Sequence, residues 1–335
     1  MRAVRKPPSP WKRFRYRLEA AFLELLAVLI PLLSRKMLVW IANILGWVAF
    51  HLLGRERDIA LTNLDLAFGS TKSAEEKRRI ARSSFQTFAR TFLGLFWGQR
   101  LNRATLDSVV EFDAEGLRLV EEVRARGKGI MFITLHYGEW ELLALAAALQ
   151  GYTITIVTEQ MRNLHAVRIL DRLRGHAGSR IISQRFAMTK LLKALKRGEC
   201  IALLVDLNAM PNRGGLWLDF FGKPVFSYST AALALRTDAP IVAALAHPLP
   251  DGRIRVVYGP EITCTPTGNE EEDLRVLSQK CLQFCEQSIR QRPEFWLWIY
   301  RRWKFRPTAD PSGYPKYSHY AERLRPRGEN VESHQ

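Results

Sequence analysis

The sequence predicts an α/β fold, in which a mostly parallel central sheet is flanked by helices and an N-terminal apolar helical segment anchors the chain to a membrane. Three observations favour it. Two apolar stretches follow a basic N-terminus, strand and helix patterns alternate from residue 114 to residue 246, and the strands are short and apolar. Strands that are buried on both faces are typical of parallel sheets covered by helices. A chain of 335 residues can form one large domain of this kind.

The N-terminal 55 residues have the composition of a membrane anchor. Residues 1–17 contain seven lysines or arginines and no acid. The apolar stretches that follow, 20–33 and 37–53, are short of or close to the roughly 20 residues that a spanning helix needs. Tryptophans, which favour membrane interfaces, lie near their ends: Trp11, Trp40 and Trp47. We therefore expect 1–55 to be a basic arm and membrane-anchoring helices, with the arm on the cytoplasmic side. A pair of buried core helices is the alternative.

The rest of the chain divides into a domain and a tail. A capping box at Ser73 to Glu76 predicts the start of a long helix with an aromatic stripe. Apolar runs predict strands at 129–135, 152–158, 200–205 and 241–246. We assign 56–307 to the α/β domain. The polar, proline-containing segment 308–335 is expected to be a flexible tail.

The net charge of +17 requires an anionic partner, such as nucleic acid, an anionic membrane or a phosphorylated or acidic substrate. No motif of a nucleic-acid-binding fold occurs, so we expect no nucleic acid. Gly127 and Gly129 precede their strand and lack a third glycine, which excludes a dinucleotide fingerprint. The four cysteines have no metal-ligand spacing, so we expect no metal and a reducing compartment.

His136 and Glu141 are the candidate catalytic pair. His136 follows a predicted strand directly, where chemistry occurs in open α/β sheets, and Glu141 begins the next helix. An imidazole can take a proton from an attacking hydroxyl near neutral pH, and a carboxylate on its other nitrogen can fix its tautomer. His51 and Glu56 have the same spacing by chance in the apolar segment. A hydrogen-bonded core histidine is the alternative interpretation.

The block from His136 to Glu141 resembles the H-x4-D/E motif of the lipid A biosynthesis (lauroyl and myristoyl) acyltransferase family, in the lysophospholipid acyltransferase-like superfamily. The segments 220–222 and 293–304 also resemble blocks of that family. The resemblance implies transfer of a fatty acyl chain from acyl carrier protein or coenzyme A to a hydroxyl of a lipid A-type or related glycolipid or phospholipid precursor. It implies an anionic lipid acceptor, contact with membrane phospholipid at the cytoplasmic face of the inner membrane, and no cofactor. A different membrane lipid as acceptor, an aminolipid or a lysophospholipid, is the main alternative, and a basic nucleic-acid-binding protein is a weaker one.

Secondary candidates could bind substrate: Arg162, Asp206, Asn208, Phe221, Arg301 and Arg302. For each of them a structural role, such as a surface charge, a turn cap or a packed loop, is the alternative. Glu139 stands where many relatives have Asn, and Tyr300 where many have His. We expect Glu139→Asn to be tolerated, because it restores the commoner residue and removes a second acid beside Glu141.

Overall fold

A computed structural model describes residues 9–159, 161–184, 186–211 and 214–321. Its helices are α1 (Pro10–Leu29), α2 (Arg35–Leu52), α3 (Gly54–Phe68), α4 (Ala74–Trp97), α5 (Ala114–Ala125), α6 (Trp140–Leu149), α7 (Leu164–Gly175), α8 (Ala187–Lys196), α9 (Ala232–Thr237) and α10 (Glu270–Gln291). Its strands are β1 (Val110–Phe112), β2 (Met131–Thr134), β3 (Ile154–Thr158), β4 (Arg180–Ser183), β5 (Cys200–Leu204), β6 (Leu216–Phe220), β7 (Lys223–Ser227), β8 (Ile241–Pro248), β9 (Ile254–Glu261), β10 (Phe305–Arg306) and β11 (His319–Tyr320).

The central sheet confirms the predicted α/β fold with a mostly parallel sheet. Its seven strands have the order β1-β9-β8-β2-β5-β3-β4. The five strands from β8 to β4 are parallel, and β9 is antiparallel to β8. The carboxyl ends of β2, β5 and β3 therefore lie at one edge, where ligands bind in folds of this class.

The sequence of β2 does not alternate between apolar and polar residues, because both faces of the strand are buried. Met131 and Ile133 belong to one buried cluster, and Phe132 belongs to a second cluster on the opposite face of the sheet. Because helices cover both faces, every residue of this strand is buried. The strand is thus a rigid base for the loop that follows it.

The two N-terminal helices pack on the domain with one face and expose the other. Helix α2 approaches α4 so closely at Gly46 that a Cβ atom there would lie 2.4 Å from the Gln86 Cα. Helix α1 runs along α7. Their outer faces expose large apolar side chains, including Trp11, Phe14, Phe22, Val28, Met37, Trp40 and Trp47.

By length and composition, none of the helices in the described ranges could cross a membrane alone. Arg35–Leu52 and Gly54–Thr71 would satisfy the criteria together, but the pair is bent by 91°.

The predicted flexible tail is folded where the structure describes it. Strand β11 pairs with β10, and the Tyr314 hydroxyl donates to the Pro224 carbonyl at 3.1 Å. Tyr317 donates a hydrogen bond to the buried Asn63 side chain. The expectation of a loose segment is therefore corrected for 308–321, because its aromatic residues pack against the domain. Residues 322–335, and residues 1–8 of the predicted arm, lie outside the described residues.

Candidate active site

His136 lies two residues beyond the end of β2, in a turn that leads into α6. Backbone hydrogen bonds fix this turn on two sides. The His136 carbonyl accepts from the Leu297 amide at 3.0 Å, and the Gly138 amide donates to the Phe295 carbonyl at 2.9 Å. Gly138 has a φ of +59°, and a Cβ atom there would lie 1.7 Å from the Ala246 carbonyl oxygen. Only glycine permits this close approach.

The imidazole of His136 is paired with Asp206. Its Nδ1 lies 3.0 Å from Asp206 Oδ1, and its backbone amide donates to Asp206 Oδ2 at 3.0 Å. The carboxylate can only accept, so Nδ1 carries the proton and Nε2 presents a lone pair. The His136 side chain is 19% exposed, whereas Asp206 is 1% exposed. This is the arrangement of a buried carboxylate that orients a histidine base.

The parallel register explains this pairing. Thr134 of β2 lies opposite Leu204 of β5, so the residues two positions further along each strand are neighbours as well. Trp296 adds a third donor, because its Nε1 donates to Asp206 Oδ2 at 2.8 Å. Asp206 was predicted as a substrate-binding candidate. The register of β2 and β5 is the signal that would have assigned it to His136.

Charge interactions set the pKa values of the pair. Burial alone would lower the pKa of His136, but the charge and hydrogen bond of Asp206, together with the charge of Glu141, raise it above its ordinary value. Burial would raise the pKa of Asp206, but the charge of His136 and the hydrogen bonds from His136 and Trp296 lower it. Asp206 therefore stays ionised beside the histidine.

Glu141 forms a different contact from the one predicted. It lies in the first turn of α6 and accepts hydrogen bonds from Arg174 of α7, with Nη2 at 2.6 Å and Nε at 3.0 Å. The expectation that Glu141 holds a ring nitrogen of His136 is wrong in this detail, because Asp206 holds Nδ1. Glu141 still acts on His136 through its charge. Its side chain is 12% exposed, so this charge is poorly screened.

Aromatic rings border the histidine. The ring of Trp140 meets that of His136 edge-on, with 5.1 Å between centroids. Phe88 of α4 stacks on Trp140 at 6.2 Å and is 39% exposed. An apolar surface on α4 thus leads from solvent to the edge of the imidazole.

Comparison with known proteins identifies the family of this chain. The family model for bacterial lipid A biosynthesis acyltransferases matches residues 12–305. The chain belongs to this family. It is therefore an acyltransferase.

The curated proteins that are similar to this chain are named as lipid A biosynthesis enzymes. A lipid A biosynthesis lauroyltransferase of Escherichia coli (strain K12) is 26% identical over 280 residues, which cover 81% of this chain and 86% of the relative. A lipid A biosynthesis palmitoleoyltransferase of the same strain is 24% identical and covers 84% and 90%. Lipid A biosynthesis acyltransferase 2 of Shigella flexneri is 21% identical and covers 82% and 86%.

Two of the predicted substrate-binding residues of this acyltransferase, Arg302 and Asn208, are hydrogen-bonded to each other. Arg302 is fully buried; its Nη1 donates to Asn208 Oδ1 at 3.0 Å and its Nη2 to Ser227 Oγ at 2.5 Å. Burial lowers the pKa of Arg302. The Asn208 backbone amide donates to the Tyr300 hydroxyl at 2.9 Å. This network supports the loop after β5 that carries Asp206.

The remaining candidates differ in exposure. Arg162 is exposed in the segment between β3 and α7, at the same sheet edge as His136. Arg301 is partly exposed, and its guanidinium lies over the ring of Tyr317. Phe221 is buried in the β6–β7 turn and packs edge-on against Phe68. Phe221 thus contributes to the core, while the two arginines have surface available to a substrate.

Trp296 and Trp140 are site residues that sequence reasoning did not assign. Both lay within segments that carried the family resemblance. A tryptophan in an apolar segment gives no sign of whether its N–H meets a catalytic carboxylate. Only the tertiary contact reveals that role.

Proposed function

We propose that this acyltransferase moves a fatty acyl chain from a thioester of acyl carrier protein or coenzyme A to a hydroxyl of a lipid A-type or related glycolipid or phospholipid precursor. The observation that carries the proposal is the buried Asp206 bound to Nδ1 of His136, which leaves Nε2 as the basic atom. The chain contains no G-x-S-x-G elbow to supply a serine nucleophile. The attacking hydroxyl therefore belongs to the acceptor.

The proton transfers follow from this geometry. Nε2 of His136 takes the proton of the acceptor hydroxyl as its oxygen attacks the thioester carbonyl carbon. The new C–O bond gives a tetrahedral intermediate, and Asp206 stabilises the imidazolium. The intermediate collapses as the C–S bond breaks. The sulfur then takes the proton from Nε2, so the products are an ester and a free thiol, and the histidine is neutral again.

The surface supports a lipid acceptor. Arg162 and Arg301 would hold phosphate groups of an anionic glycolipid, with Arg162 at the carboxyl edge of the sheet. The exposed aromatic residues Phe88 and Phe92 of α4, which are 39% and 37% exposed, would contact acyl chains beside His136. We propose that the outer faces of α1 and α2 lie in the interface of the inner membrane at its cytoplasmic face. Such a position would present a membrane lipid to His136 without extracting it from the bilayer.

The test is transfer of a labelled acyl chain from acyl carrier protein, and separately from coenzyme A, to purified lipid A precursor and to a lysophospholipid. We expect transfer to the lipid A precursor and a loss of at least about 100-fold in His136→Ala, because general-base catalysis contributes about 10²- to 10⁴-fold. His51→Ala, at the chance match of the motif, is the matched control and should keep full activity. Near-normal turnover by His136→Ala would contradict the mechanism. Transfer to the lysophospholipid alone would show that the acceptor is a lysophospholipid and not a lipid A precursor.

A further inference from the structure

A buried ion pair joins the first turn of α2 to the catalytic turn. Arg35 Nη2 lies 2.5 Å from Glu139 Oε1, and the two side chains are 10% and 1% exposed. Arg35 Nε donates to the Gly252 carbonyl at 2.7 Å, and its guanidinium lies 5.3 Å from the ring centroid of Trp97. These contacts hold the guanidinium in one orientation.

Glu139 belongs to the same short turn as His136. It precedes Trp140 as the N-cap residue of α6, its amide donates to the Ala246 carbonyl at 3.2 Å, and its carbonyl accepts from the Leu143 amide at 3.1 Å. The backbone of this turn is thus fixed by the sheet and by α6. Its link to α2 is made by the Glu139 side chain.

The negative charge of Glu139 acts on two positively charged side chains, Arg35 and Arg90. Arg90 of α4 is partly buried; burial lowers its pKa, and the charge of Glu139 opposes that effect. Arg90 donates to Asn43 Oδ1 of α2 at 3.0 and 2.8 Å. One carboxylate therefore faces two arginines, and loss of its charge would leave both without a nearby counter-charge.

Helix α2 connects this buried pair to the outer surface. The face opposite Arg35 and Asn43 exposes Met37 and Trp40, which are 50% and 64% exposed. Any shift of α2 when its outer face binds lipid would be transmitted through Arg35 to the turn that carries His136. A displacement of about 1 Å at a catalytic group can reduce the rate about 100-fold.

On the basis of the acyl transfer proposed above, we propose that Arg35 and Glu139 are positioning residues, which fix the catalytic turn to α2 and so hold His136 in its reactive orientation. They act through the turn and do not touch the reacting atoms. The expectation that Glu139→Asn is tolerated is replaced accordingly. Asn is too short to reach Arg35 and carries no charge.

The experiment compares four full-length variants in transfer assays and thermal melts. Arg35→Lys keeps the charge but cannot bind Glu139 and Gly252 together. Glu139→Gln keeps the shape but loses the charge. Arg35→Met with Glu139→Gln removes both charges. Arg126→Met is the control, because Arg126 pairs with Glu261 at the opposite edge of the sheet, beside Val242 at the start of β8.

We expect kcat to fall about 10- to 100-fold in both single variants, with the KM for the acyl donor nearly unchanged. The double variant should regain part of the melting temperature that Glu139→Gln loses, because it removes the unpaired charge of Arg35 but leaves Arg90 without its counter-charge. It should not regain kcat. Arg126→Met should keep wild-type kcat. Recovery of kcat together with melting temperature in the double variant would overturn the proposal, as would wild-type kcat in both single variants. Absence of transfer by the wild type, or full transfer by His136→Ala, would instead contradict the proposed function.

Discussion

At the scale of single residues, His136 balances burial against two carboxylates. Burial favours its neutral form, while Asp206 and Glu141 favour the charged form, and the net effect raises its pKa. A higher pKa makes the imidazole a stronger base. It also means that a larger fraction is protonated, and inactive as a base, at pH values just above the ordinary pKa of about 6.5.

Asp206→Asn should move the pH profile in a defined direction. A general base works in its neutral form, so kcat/KM of the wild type should rise with pH through a pKa above about 6.5. Removing the carboxylate lowers the pKa of His136, so the rise should occur at lower pH, and the plateau should fall because the imidazolium loses its stabilising partner. The measurement is kcat/KM between pH 5 and 9. A profile that keeps its wild-type midpoint would show that Asp206 does not control His136.

The same shifts predict a pH dependence of stability. The raised pKa of His136 stabilises the fold below the unfolded value of about 6.5, and this contribution is lost as pH rises through the folded pKa. The lowered pKa of Asp206 stabilises the fold above about 3.9 and is lost as pH falls through its folded value. Both contributions come from one interaction, so Asp206→Asn should remove them together. Urea unfolding at pH 5 and pH 9 would measure the loss, which should be larger at pH 5.

Glu141→Gln separates the role of charge from that of shape. The glutamine keeps the size of the side chain but leaves the partly buried guanidinium of Arg174 without its carboxylate partner and removes a charge that raises the pKa of His136. We expect a severely reduced kcat, a rise of kcat/KM with pH that occurs at lower pH than in the wild type, and a lower melting temperature. The double variant with His136→Ala should be little slower than His136→Ala alone, because the two residues act as one unit. Additive losses in kcat would argue for independent roles.

The site residues differ in how far the sequence could assign them. His136 was assignable because a histidine directly after an apolar strand lies at the reactive edge of a parallel sheet. The partner of its Nδ1 was not, because Asp206 is 70 residues away in sequence and reaches it only through the register of β2 and β5. Glu141 matched the motif spacing, yet the start of α6 directs it toward Arg174. Spacing along the chain therefore selects neighbours, but tertiary packing decides the hydrogen bonds.

At the scale of secondary-structure elements, α2 combines two environments. Leu38, Ala42 and Phe50 are buried against the domain, whereas Trp40 and Trp47 are exposed. The sequence separated residues 1–55 from the domain because their apolar content was high, but it could not show that α2 also packs on α4 at Gly46. Hydropathy measures how apolar a helix is, and it does not identify which face meets protein.

Replacing Trp40 and Trp47 by serine should weaken membrane binding without unfolding the protein. Both side chains are exposed, at 64% and 48%, so their loss costs little folding free energy, while burial of each in an interface contributes about 1.5–3 kcal/mol. We expect the double variant to shift toward the supernatant in vesicle sedimentation. The matched control replaces Met188 and Leu235, which are 44% exposed on α8 and α9. Equal loss of binding in the control would mean that α2 does not form the contact.

At the scale of the whole molecule, the net charge of +17 and the apolar outer faces of α1 and α2 should act together on a membrane. Exposed charges such as Lys12 and Arg13 attract anionic lipid over about one Debye length, which falls from about 10 Å at 0.1 M salt to about 3 Å at 1 M. The apolar contribution does not depend on screening in this way, because it arises from surface removed from water.

The wild type should therefore bind vesicles of phosphatidylglycerol and phosphatidylcholine in two separable steps. Raising salt from 0.1 to 1 M should weaken the affinity several-fold but leave a bound fraction, because screening removes the electrostatic attraction only. Vesicles of phosphatidylcholine alone should give this residual binding at both salt concentrations. The variant without Trp40 and Trp47 should lose part of the salt-resistant fraction and keep the salt-sensitive one, which sedimentation at each salt concentration would measure. Complete release of the wild type by salt would show that charge alone holds the protein at the bilayer, and the apolar faces of α1 and α2 would then need another role.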